Sequence, residues 1–140
     1  MATKSAPFSM RISKSMEALV EREAERTGRS KGAVVEALAD EALRMRLFPG
    51  VAFRGTDWDR RAWVIGTAFD VWQIVEANQD IDSVERMAED GSANERQIAL
   101  ALAYYKQFPE EIDEAIAENR RPLEQLEREF PFIAVSRVNV

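Results

Sequence analysis

The chain has 140 residues, enough for one ordinary domain or two small ones, and its 46% apolar and 31% charged residues describe a folded protein. It holds no Cys and no His, which excludes disulfides, thiolate nucleophiles, His-based general bases and most zinc sites. The net charge of −6 is unevenly spread: residues 1–46 carry nine Lys/Arg against seven Asp/Glu, whereas residues 47–140 carry ten against eighteen. The two parts, at +2 and −8, are expected to meet different partners, with the basic end able to face phosphates and the acidic end repelled by them. No apolar run approaches the roughly 20 residues that span a bilayer. The first seven residues lack the apolar core of a signal peptide, so a cytoplasmic location without membrane contact is expected.

Residues 1–7 read as an arm in which Lys4 is either a phosphate contact or part of a frayed end. In the next stretch Phe8, Met10 and Ile12 alternate with Ser9, Arg11 and Ser13, the period-2 pattern of a half-buried strand. Everything from there to Leu47 has a helical pattern, so this strand has no partner nearby. A lone strand leaves its backbone groups and its apolar face unsatisfied. Pairing with the same strand of a second copy would solve both problems and make a two-stranded ribbon of a size that fits the major groove of DNA.

Ser13 is placed to cap a first helix, with Met16, Leu19, Val20 and Ala24 on one stripe and Gly28 as its left-handed end. A second helix is expected after Ser30, with Val34, Val35, Leu38, Ala42 and Met45 forming a broad apolar face. Its opening Ser30-Lys31-Gly32 combines a hydroxyl, a cation and helix-start amides, which serve either as an ordinary cap or as a phosphate anchor.

Strand, Ser cap, helix, Thr-Gly-Arg-Ser, helix resembles the ribbon-helix-helix repressors of the MetJ/Arc/CopG group over about residues 7–46. The resemblance implies an obligate homodimer joined through the N-terminal ribbon. It also implies base contacts at the outward strand positions, here Pro7, Ser9 and Arg11, and a phosphate clamp at Ser30, Lys31 and Gly32. Pro7 departs from the usual polar residue.

Leu47-Phe48-Pro49-Gly50 marks a boundary. Val51–Phe53 and Ala62–Ile65 are expected to form a hairpin around the loop Arg54–Arg61. A helix is expected from about Asp70 to Asn78 with Val71, Ile74 and Val75 inward and Trp72 at the border. Another should start at Asp82-Ser83 and end at Asp90-Gly91. Ser92-Ala-Asn-Glu95 reads as a capping box ahead of Ile98, Leu102 and Tyr105. Helix, Gly turn and capped helix are arranged like a helix-turn-helix, but the acidic surroundings of Arg96, Gln97 and Lys106 favour a scaffold for protein contact over DNA reading. Gly66-Thr67, Phe69, Val71 and Ile74, then Ala101-Leu102 and Tyr104, then Phe108-Pro109-Glu110-Glu111, resemble the domain of unknown function in VapB-type antitoxins. Ala68 stands where that family usually has Arg. The resemblance implies a PIN-like toxin, a Mg²⁺-dependent ribonuclease, as partner.

Pro109 suits the first turn of a further helix, Glu110 to Asn119, with Ile112, Ala115 and Ile116 inward. Arg120-Arg121-Pro122 should break it. The tail that follows is apolar at Leu123, Leu126, Phe130, Phe132, Ile133 and Val135, and is expected either to wrap a partner or to pack back on its own domain. The pairs Asp57/Asp59, Asp80/Asp82 and Glu110/Glu111 invite a metal or acid–base reading. No phosphate loop, nucleophile motif or EF-hand pattern accompanies them, so no catalytic residue, metal or cofactor is expected.

The expected fold is mainly α. A dimeric β-α-α ribbon-helix-helix occupies residues 1–47, and a hairpin plus three-helix, helix-turn-helix-like domain occupies 49–118. An arm, 119–140, would bind the toxin through Arg120, Arg121, Leu123, Leu126, Phe130, Phe132 and Ile133. The expected function is an antitoxin that also represses its own operon at operator DNA. The alternatives are a stand-alone repressor whose second domain senses a ligand or sets oligomeric state, and a structural interaction module whose ribbon touches no DNA.

Overall fold

The computed structural model describes residues 6–121 and 123–132. Among them the chain is mainly helical, with seven helices and one two-stranded antiparallel sheet that follows the first two helices. It divides into two compact units, Met1–Arg44 and Met45–Val140.

In the N-terminal unit, Ser13 ends an extended segment and starts α1 (Lys14–Thr27), its hydroxyl accepting from the Met16 amide at 3.2 Å. Gly28 closes α1 at φ 67°, the left-handed turn foreseen, and Arg29 N–H donates to Ala24 O at 3.1 Å. Ser30 caps α2 (Lys31–Leu47), accepting from the Ala33 amide at 3.1 Å. Both caps fall where the sequence puts them. The N-terminal strand does not form in the single chain: residues 7–13 pair with no strand among the described residues. A strand needs a ladder partner, and one copy offers none there.

In the C-terminal unit, β1 (Val51–Gly55) and β2 (Arg60–Val64) pair with Val51 opposite Val64 and Gly55 opposite Arg60. The strands are longer and the loop shorter, Thr56–Asp59, than the hydrophobic pattern suggests. Gly55 permits that: its φ is 125°, and a Cβ there would lie 2.1 Å from the Asp59 carbonyl oxygen. Arg54 binds the hairpin to the next helix. Its guanidinium meets Asp70 at 2.8 Å, donates to Ala68 O at 3.0 Å and stacks 5.3 Å from the Trp63 ring. Buried Thr67 donates its hydroxyl to Val64 O at 2.8 Å, fixing the turn.

α3 (Val71–Asn78) is the centre, packing against β2, α4 (Ile81–Glu89), α5 (Glu95–Gln107) and α6 (Pro109–Asn119). Val71, Ile74 and Val75 are buried as foreseen, and Trp72 is half-buried. Tyr104 is fully buried between Phe48 and Phe108, with ring centroids 5.3 and 4.8 Å away, and its hydroxyl donates to Glu111 at 2.7 Å. Ile112, Ala115 and Ile116 are buried on α6, and α7 (Leu123–Glu129) follows.

Three local expectations change. α4 starts one residue before Asp82, because Asp80 takes the capping position and accepts from the Asp82 amide and the Ser83 hydroxyl. The capping box of α5 is Asn94–Gln97, with Gln97 N–H donating to Asn94 Oδ1 at 2.9 Å. Ser92 instead hydrogen-bonds Asp90. The buried face of α5 is Ile98, Ala101 and Tyr104, and Leu102 and Tyr105 are only half-buried. Tyr105 turns its hydroxyl outward to Asp113 at 2.6 Å.

Candidate functional site

Among its described residues the N-terminal unit buries two, Val20 and Val34. The apolar stripes anticipated on α1 and α2 are present but uncovered: Leu19 is 62% exposed, and Met16, Leu38 and Met45 are each above 40%. Phe8, at 86%, Met10 and Ile12 are exposed on the extended segment. Between that segment and the two helices lies an open groove of about 600 Å³, lined by the whole run Phe8–Ile12, by Val20 and Val35, and by the polar Glu17, Lys31 and Gly32. A unit near the roughly 40-residue limit for independent folding cannot be held together by two buried valines.

Pro7, Ser9 and Arg11 are exposed on the same segment. At the start of α2, the Ser30 hydroxyl is committed to its cap. Lys31 reaches back to α1, its ammonium 2.9 Å from Glu21, and that hydrogen bond and charge raise its pKa above the usual lysine value. Glu21 escaped the sequence reading because it lies ten residues from Lys31 and only the return of α2 along α1 joins them. A phosphate at this turn would compete with Glu21 for Lys31. Gly32 has open space where a Cβ would stand, so nothing in its own chain requires glycine there.

At the other end, Arg120 caps α6 and pairs with Glu76 at 2.8 Å and the Gln79 amide oxygen at 3.1 Å. Arg121 pairs with Glu118 at 2.8 Å and with Glu129. Both cations are therefore engaged within the chain. Leu123 starts α7, Leu126 and Phe130 are half-buried, and Phe132 is exposed, edge-on to Phe130 at 6.0 Å. Lys4 and Ile133 lie outside the described residues. These residues and the N-terminal ones belong to different units.

Among the described residues no group of three or more His, Cys, Asp or Glu is placed to hold a metal ion, and no helix is long and apolar enough to cross a membrane. Of the carboxylate pairs, Asp80 caps α4 and Glu111 holds Tyr104. Comparison with protein-family models, with curated proteins and with solved structures finds no match.

Proposed function

We propose that this protein is the antitoxin of a toxin–antitoxin pair: a homodimer that binds operator DNA through a shared N-terminal ribbon and holds a PIN-like ribonuclease with its acidic C-terminal unit. The observation that carries the reading is the extended segment 7–13, unpaired among the described residues and alternating apolar with polar side chains, beside an open groove on two under-covered helices. A second copy supplies the missing strand and covers the groove. Burying Phe8, Met10, Ile12, Met16, Leu19 and Leu38 in this way contributes roughly 1.5–3 kcal/mol each. The ribbon then turns Ser9 and Arg11 outward. Arg11 suits bidentate contact with guanine and Ser9 can donate or accept, while Pro7 contributes little direct readout. Ser30, Lys31 and Gly32 flank them as phosphate contacts, with Lys31 exchanging Glu21 for a phosphate oxygen.

The sequence resemblances stated above support the assignment to a ribbon-helix-helix repressor joined to a VapB-type antitoxin domain. In the same reading the arm after Asn119 engages the nuclease through Leu123, Leu126, Phe130, Phe132 and Ile133. Arg120 or Arg121 releases its carboxylate partner to meet the acidic Mg²⁺ site of the toxin. Operator titration tests the first half. Arg11→Ala should weaken specific binding by roughly 1–3 kcal/mol, and an unchanged affinity refutes the base-reading role. Removing residues 119–140 tests the second half, since capture of the nuclease should be lost while operator binding persists.

A further inference from the structure

The first turn of α2 comes within reach of the middle of α1 because Gly28 turns the chain back, with Arg29 N–H bonded to Ala24 O. That return sets the Lys31 ammonium 2.9 Å from the carboxylate of Glu21, ten residues earlier. Lys31 is the one charged residue among positions 31–34, and the neighbouring Ser30 hydroxyl is already committed to the Ala33 amide. The charge that this turn can offer an anion is therefore that of Lys31, and Glu21 holds it. Glu17, one turn before Glu21 on α1, adds its own charge at the same ammonium. The two paired side chains are 58% and 52% exposed, so water and salt reach them and the pair opens at little cost. Its setting makes the pair matter. Residues 1–46 carry a surplus of only two positive charges, so removing one carboxylate raises that surplus by half.

We propose that Glu21 is an affinity-setting residue for DNA: it occupies Lys31 as an internal stand-in for phosphate and has to be displaced before the α2 turn holds a duplex. The proposal rests on the DNA-binding reading of the N-terminal unit and adds the group that limits that binding. A phosphate oxygen and a glutamate oxygen offer the ammonium the same charge-assisted contact. The exchange trades one for the other, so each Lys31 contributes less to affinity than a free lysine does. It also changes the ion balance. A lysine that reaches a phosphate releases a condensed cation from DNA. A carboxylate freed in the same step is repelled by the phosphates and draws a cation to itself. The release is partly cancelled, and binding falls less steeply with added salt than the number of phosphate contacts implies. In the homodimer the effect counts twice, once for the turn of each copy. Attachment to DNA of unrelated sequence is weakened, which leaves the base contacts of Ser9 and Arg11 to decide where the dimer stays.

The test uses the full-length chain and two labelled duplexes of about 20 base pairs, one from the DNA upstream of its own gene and one of random sequence. Binding is followed by fluorescence anisotropy between about 50 and 200 mM salt, and folding of each variant is checked by circular dichroism. Glu21→Gln keeps the shape of the side chain and removes its charge. It should tighten random-duplex binding about three- to tenfold and steepen the log–log salt slope by about one. Glu25→Gln makes the same change in net charge at an exposed position on α1 that has no ion pair among the described residues. Its gain should stay below about twofold. Adding Lys31→Gln to Glu21→Gln should abolish the gain, an outcome that a merely structural role for Glu21 does not produce. Equal affinities and slopes for Glu21→Gln and Glu25→Gln overturn the proposal, as does a gain that survives Lys31→Gln. If operator binding is then intact and Arg11→Ala weakens it, the DNA-binding reading stands and the proposal alone falls. If no variant binds either duplex, the reading and the proposal fall together.

Discussion

The two units carry similar apolar patterns and treat them in opposite ways. From Val51 to Ile116 the chain buries thirteen apolar side chains around α3, with Tyr104, Ile74 and Val71 withdrawn completely from solvent. Among its described residues the N-terminal unit buries two, and leaves Phe8, Met10 and Leu19 more than 60% exposed. Both units hold helices with side-chain caps at their starts, so the difference lies in closure. A hairpin and four helices can surround one another, whereas two helices and a single extended segment cannot. A well-capped helical pair with open stripes is what the proposed homodimer would complete.

The largest expected effect breaks this contrast directly. If the N-terminal unit is completed by a twin, deleting residues 1–13 should abolish its cooperative melting and operator binding while the C-terminal unit still unfolds as before. Thermal scans at several protein concentrations should show the intact N-terminal transition rising with concentration and the other transition staying fixed. A concentration-independent N-terminal transition refutes self-completion.

The next effect tests closure in the C-terminal unit. Tyr104→Ala removes a fully buried ring touching Phe48 and Phe108 and should cost about 3–5 kcal/mol in denaturant unfolding. Tyr104→Phe keeps the packing, loses only the hydroxyl on Glu111, and should cost a third of that or less. Smaller again, Arg54→Ala unties the hairpin from α3. The pair is partly exposed, so roughly 1 kcal/mol is expected, read as the same melt shifted by a few degrees.

The smallest effect is on acid stability. The Ser83 hydroxyl and Asp82 amide hold the Asp80 carboxyl below its ordinary pKa of 3.8. A depressed folded-state pKa adds stability above 3.8 and withdraws it as pH falls through the folded value. Carbon-detected titration should therefore place the Asp80 midpoint below 3.8, and Ser83→Ala should move it upward.

Local chemistry was legible without coordinates. Ser13, Gly28 and Ser30 end or begin their helices as read, and Val71, Ile74, Val75, Ile112, Ala115 and Ile116 face inward because period and cap are properties of neighbouring residues. The α5 face was misjudged because Ile98, Leu102 and Tyr105 and Ile98, Ala101 and Tyr104 both fit a helical period, and only packing against Phe48 and Phe108 selects the face that buries Tyr104. Candidate DNA residues were legible as positions, but the Lys31–Glu21 pair was not. Nor was it legible that the hairpin and α6 both come to rest on α3, since they lie far apart in the chain. By itself the sequence determined where α1, α2, α3 and α6 start, which residues are apolar and how charge divides between the ends. Tertiary structure alone decided which stripes are covered and which cations are already paired. Those outcomes depend on distances between segments remote in the chain, and no local pattern encodes them.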